Sequence, residues 1–118
     1  MVLNHYPTVL SSIHQFDEFY GMPINQTNCS RSYSLSEEKL MTISHVNEQV
    51  VNLSFCLSGT YTEVITMLER LLPREVILVN KNVDNKIEVF EYAMNESRYF
   101  IYIGHDNMVY SVVINCCE

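Results

Sequence analysis

A chain of 118 residues, 47% hydrophobic and 18% charged, can bury a core without metals or disulfides and suits a single domain over 1–118. Seven Lys and Arg against fourteen Asp and Glu leave a net charge of -7, which repels a phosphate backbone, so no direct nucleic-acid partner is expected. The longest apolar runs, VVNLSFCL and YFIYI, are too short to span a bilayer, and the first residues lack the basic and long apolar regions of a secretory signal; a soluble cytoplasmic protein is expected.

The first segment, TVLSSIHQFDEFYG, spaces Val9, Ile13, Phe16 and Tyr20 by four, three and four residues. That spacing predicts a helix from near Thr8 to Gly21, where glycine ends it. Residues 22–39 follow, rich in Ser and Asn with no sustained period. They read as a long surface loop, and loops of that length are usually functional, so this one is a candidate contact surface.

From Leu40 the period changes to two. Met41, Ile43 and His45 alternate with Leu40, Thr42, Ser44 and Val46; then Val51, Leu53, Phe55 and Leu57 alternate with Asn52, Ser54 and Cys56. This predicts a β-hairpin whose second strand buries one strongly apolar face and turns its Asn and Ser to solvent.

Thr60 followed by Glu63 fits a capping box, and Val64, Ile65, Leu68, Leu71 and Leu72 form an apolar stripe at helical spacing before Pro73. A second helix is expected there, lying on the sheet. Four strands complete the chain, at 75–79, 86–93, 98–103 and 108–116, joined by NKNVDN, MNES and GHDN, which carry the residues turns favour. Short consecutive links imply an antiparallel meander. The expected fold is α+β: a mainly antiparallel twisted sheet of about six strands with one or two helices packed on one face.

Local chemistry is weak. With GHDN as a turn, His105 and Cys116 stand eleven residues apart along one strand, about 35 Å, whereas a catalytic hydrogen bond needs about 3 Å. Cys116 and Cys117 are strand neighbours whose side chains leave opposite faces, so they do not share a metal in the usual spaced geometry. With Cys29 and Cys56 they read as free thiols, Cys29 being the one expected at the surface. His5, His14, His45 and His105 show no common ligand spacing. Asp17 with Glu18, and Glu37 with Glu38, are sequence neighbours that add negative potential without forming an acid/base pair. No phosphate-binding, zinc-protease, nucleophile-elbow or calcium-loop pattern occurs. No cofactor and no metal is expected, and the chain does not read as an enzyme.

The aromatics carry more. All thirteen are Tyr or Phe, and they concentrate between Phe90 and Tyr110. In KIEVFEYA, Glu88, Phe90 and Tyr92 oppose Ile87, Val89 and Glu91; in RYFIYI, Phe100 and Tyr102 oppose Tyr99, Ile101 and Ile103. Both faces are therefore apolar there. One is expected under the helices, and the other, mixing Tyr with Glu, is a candidate docking surface, because Tyr gives rigid contact area with a hydrogen-bonding tip.

In size, acidity and α+β layout the chain resembles the immunity proteins that neutralise bacterial nuclease toxins, including those of contact-dependent inhibition systems. The likeness is one of layout and carries over no motif and no residue. It implies a small acidic binding protein that blocks a cognate basic toxin domain. The contact candidates are Glu88, Glu91, Tyr92, Tyr102 and Asp106, with the acids meeting Arg or Lys and the Tyr supplying buried area. A dimeric secretion chaperone or adaptor is the alternative, and an enzyme with a dispersed site comes third.

Overall fold

Both helices begin at the same device. Ser12 accepts from the Gln15 N–H at 3.3 Å while the Gln15 side chain accepts from the Ser12 N–H at 2.9 Å; Thr60 and Glu63 repeat the exchange at 3.2 and 3.1 Å. Each pair satisfies two amide groups that the first helical turn otherwise leaves open. They open α1 (Ile13–Tyr20) and α2 (Tyr61–Leu71). The computed structural model describes residues 7–36, 39–84, 86–106 and 109–117.

Eight strands form one sheet: β1 (Asn25–Gln26), β2 (Ser30–Ser36), β3 (Lys39–Val46), β4 (Gln49–Ser58), β5 (Ile77–Asp84), β6 (Ile87–Met94), β7 (Ser97–Asp106) and β8 (Val109–Cys117). Their order is β1-β2-β3-β4-β8-β7-β6-β5, and every pairing is antiparallel. The expected α+β antiparallel architecture is present, with eight strands in place of about six. The plan runs twice: a capped helix, then a four-strand meander ending at the centre, where β4 and β8 pair. Helix α2 carries the chain from the central β4 to β5 at the outer edge.

The helices lie on one face. Beneath them Tyr33, Met41, Ile43, Leu53, Phe55 and Leu57 from β2–β4 meet Val112, Ile114, Ile101, Ile103, Tyr99 and Phe90 from the other half, and Ile13, Phe16, Val64, Leu68 and Leu71 close the core from above. A second tie holds α1 to β2. Asp17 accepts from the Tyr33 hydroxyl at 2.6 Å and from the Arg31 guanidinium. Burial works against the Asp17 charge, but these two donors outweigh it and hold the carboxyl below its ordinary range.

Four expectations need correction. Residues 22–39 are not a loop: they contain β1 and β2, because serine at every second position of SRSYSLS still alternates with Arg31, Tyr33 and Leu35, and Tyr33 is fully buried. Helix α1 starts at Ile13 rather than near Thr8, since Ser12 supplies the cap; Val9 is buried outside the helix. The buried residue at the start of β4 is Val50 rather than Val51, because a bulge shifts the β3–β4 register after Ser44. Most of NKNVDN is β5, laddered on β6 through Asp84. The hairpin turn at Asn47 and Glu48 does stand as expected. Both have positive φ (52° and 65°), the geometry that matches the twist of the flanking strands.

Candidate functional site: the open face of the sheet

Register across the sheet places side chains in rows on the face opposite the helices. One row runs Ser32, Thr42, Ser54, Val113, Tyr102, Val89, Asn82. Beside it run Ser44, Asn52, Asn115, Phe100, Glu91 and Asn80, and on the other side Leu40, Cys56, Ser111, Gly104, Ile87 and Asp84. Among the described residues, no element lies over this face.

Its two halves differ in chemistry. Across β2–β4 it is hydroxyl and amide: Ser32 and Thr42 share a hydrogen bond at 3.1 Å, and Asn52 donates to Asn115 across the central seam. Over β6–β8 it is apolar and aromatic, with Ile87, Tyr102 and Val109 exposed by 48%, 39% and 40%. A groove of about 450 Å³ lies at the junction, lined by Val51, Asn52, Phe100, Tyr102, Asn115, Cys116 and Cys117. Asp84, Glu91 and Asp106 stand on the apolar half, and Arg98 lies 3.5 Å from Glu91.

The contact candidates divide between the two faces. Glu91, Tyr102 and Asp106 belong to the open face. Glu88 and Tyr92 belong to the helix side, in register with Ile103 and Tyr99. There Glu88 accepts from the Tyr61 hydroxyl at 3.1 Å and lies 3.7 Å from Lys81. Burial and this carboxylate push the Tyr61 hydroxyl up to about 12. Burial also raises the Tyr92 hydroxyl, with Glu69 adding to the shift.

Gly104, His105 and Asp106 are not a turn, as expected, but the end of β7, paired with Ser111, Tyr110 and Val109; His105 stacks on Tyr110 with ring centroids 4.1 Å apart. Asn107 and Met108 lie outside the described residues, as do His5, Glu37 and Glu38. Cys116 pairs with Tyr99, six residues along β7 from His105, so the separation is roughly 20 Å rather than 35 Å. That still keeps thiol and imidazole apart. Cys29, Cys56 and Cys117 are exposed and Cys116 is half-buried; none of the four is in a disulfide. Among the described residues no three His, Cys, Asp or Glu are grouped to hold a metal, and no helix is long and apolar enough to cross a membrane.

Sequence reasoning missed Phe100 and Val113 as members of this surface, and with them the hydroxyl half. Alternation within each strand was visible, but the β4–β8 pairing that brings the halves together joins segments more than fifty residues apart in the chain and leaves no local signal. No family model matches the chain, and no similar curated protein or solved structure was found.

Proposed function

We propose that this chain is a non-catalytic binding protein that docks a basic protein on the open face of its sheet, and that the partner is a toxin domain it neutralises in the cytoplasm. The observation that carries this reading is the apolar half of that face, where Phe100, Tyr102, Val113, Val89 and Ile87 form one surface under no described element. The whole open face, polar and apolar halves together, is seven strands about 4.8 Å apart and three rows deep, on the order of 700 Å². A standard interface takes about 800 Å² per partner.

The chemistry of the rim supports a cationic partner. Asp84, Glu91 and Asp106 surround the apolar patch in a chain of net charge -7, so long-range attraction favours encounter and the Tyr and Phe favour retention. Glu88 is engaged by Tyr61 and Lys81 on the other side of the sheet and drops out of the contact set, as does Tyr92.

Affinity purification of the tagged chain with the product of the adjacent gene tests this. A stoichiometric complex with a basic protein, weakened by Glu91→Lys and Tyr102→Ser and unaffected by Glu69→Lys on the helix side, supports it. A complex indifferent to the open-face changes, or one with a secreted substrate, removes it.

A further inference from the structure

The groove at the seam of the open face is lined by neutral groups. Asn52 of β4, Asn115 of β8 and Phe100 of β7 stand opposite one another in a single row, so two amides and an aromatic ring cross three adjacent strands. Val51, Tyr102 and Cys117 lie beside them in a space of about 450 Å³, ample for an aromatic side chain and within the range of sites that bind small molecules. Among the described residues no charged side chain lines it. Glu91, opposite Phe100 on β6, is outside the lining and stands 3.5 Å from Arg98.

The amide pair restricts what the groove can hold. Asn52 donates to the Asn115 carbonyl oxygen across the seam, which leaves the Asn52 carbonyl oxygen and the Asn115 NH2 group with no hydrogen bond among the described residues. An acceptor and a donor therefore stand beside apolar surface, and an occupant that offers neither leaves both unsatisfied. A guanidinium or ammonium only donates, and it would lose its water beside no carboxylate. A carboxylate only accepts, and an indole only donates. Side-chain amides and the Ser and Thr hydroxyls do both but bring little apolar body to cover Phe100 and Val51. A phenol does both and carries a ring that packs on Phe100 and Tyr102.

We infer that this groove takes a tyrosine side chain of the docked partner, with the ring against Phe100, Tyr102 and Val51 and the hydroxyl between the Asn52 oxygen and the Asn115 amide. The subsite belongs to the docking surface proposed above and rests on that reading. The interface then has a neutral aromatic core inside a charged rim, as interfaces generally do. Asp84, Glu91 and Asp106 attract the partner's cations, and the groove selects one uncharged side chain.

Capped tripeptides probe the groove: acetyl-Lys-Tyr-Lys-amide, its Phe analogue, which lacks only the hydroxyl, and its Arg analogue. Each is titrated into the whole chain while the side-chain amide resonances of Asn52 and Asn115 are followed. The Tyr peptide should saturate both resonances at one site, the Phe peptide should bind about fivefold more weakly, and the Arg peptide should leave both resonances unmoved. Replacing the amides together, Asn52→Leu with Asn115→Leu, should bring the Tyr peptide down to the Phe peptide's affinity while leaving the Phe peptide unchanged. Cys117→Trp, at an exposed position in the lining, should abolish binding of both with the fold intact by circular dichroism. If a basic partner binds through the open face and the Tyr peptide does not saturate, the tyrosine subsite falls and the docking reading stands. If the partner is indifferent to the open face and the Tyr peptide still saturates in the groove, the docking reading falls while the selection of a tyrosine side chain holds. A Phe or Arg peptide matching the Tyr peptide, or amide shifts that follow protein concentration alone, as with a second copy in the groove, overturn the inference.

Discussion

The two halves of the molecule share a plan and differ where the plan does not constrain them. Each is a capped helix followed by a four-strand meander ending at the central seam. On the helix side both halves are apolar, because that face must be buried for the domain to fold. On the open side the first half is mainly Ser, Thr and Asn, with Leu40 and Cys56 along one row, whereas the second sets Val, Tyr, Phe and Ile among Ser111, Asn115 and Glu91. A solvated antiparallel sheet needs only the polar version. The apolar residues of the second half are therefore not explained by folding, and that difference directs attention to them.

The outer edges differ too. Strand β1 has two residues, while β5 has eight, all exposed, with Ile77 exposed by 70%. The longer edge is protected in other ways. A register shift between Leu78 and Asn80 interrupts its ladder, and Lys81 folds back to lie 5.2 Å from the centre of the Phe90 ring. Bulges and edge lysines discourage pairing with another chain, which favours the open face over this edge as the proposed docking surface.

The largest expected effect lies where the halves meet. Phe55 of β4 sits opposite Val112 of β8 and is nearly completely buried. Phe55→Ala should cost about 3–5 kcal/mol, read from denaturant unfolding followed by both near- and far-ultraviolet circular dichroism. The two probes should move together. Separate transitions would mean that each helix-plus-meander half unfolds by itself, and the comparison above would then describe two units in place of one.

The tie between α1 and β2 is next; its counterpart in the second half is the bond from Tyr61 of α2 to Glu88 of β6, with Lys81 3.7 Å from that carboxylate. Asp17→Asn should remove charge-assisted bonds from Tyr33 and Arg31, at about 1.5–3 kcal/mol. The pH dependence follows in sign. Because the folded carboxyl titrates below its unfolded value, the contribution is fully present above about pH 4 and is lost as pH falls through the folded pKa. The variant should flatten the acid limb of stability measured between about pH 2 and 5, and an acid limb unchanged in Asp17→Asn would assign it to other carboxylates.

This tie also marks the limit of what the sequence revealed. Helix α2, the β3–β4 hairpin and the order of the last four strands were legible, because periodicity and capping residues are local signals. Strand β2 was not, since Ser30, Ser32 and Ser34 hid an alternation whose inward side, Arg31 and Tyr33, is polar in name. Tyr33 is nonetheless fully buried, with its hydroxyl satisfied by Asp17 at 2.6 Å. The Val50 position was missed because a bulge changes parity without changing composition. Of the contact candidates, Glu91, Tyr102 and Asp106 share the open face through the β6–β7 pairing, and Glu88 and Tyr92 fall on the other face by the alternation within β6 that the sequence already showed.

The two caps offer a balanced comparison. Ser12→Ala and Thr60→Ala each remove one side-chain acceptor from a first helical turn and should each cost about 1 kcal/mol. The expected equality is a test of the repeated plan. A much larger loss at Ser12 would show that the segment before α1, where Val50 donates to the Ser11 carbonyl at 2.9 Å, depends on that cap for more than the helix.

The smallest effect on stability should come from the surface that matters most to the proposed function. Tyr102 is 39% exposed and lies in the row between Val113 and Val89. Replacing it by Ser extends the hydroxyl chemistry of the first half into the second, and the folded state should change by no more than about 0.5 kcal/mol. Binding to the partner should fall far more, by about 2 kcal/mol or roughly thirtyfold, as for a central aromatic anchor. The converse change, Ser54→Val in the same row, extends the apolar half and should be neutral or slightly stabilising, since Val suits a strand. If both variants leave binding unchanged while thermal unfolding stays within a degree or two, the contrast between the halves has no bearing on recognition. If Tyr102→Ser alone abolishes it, the apolar half of the open face is the interface.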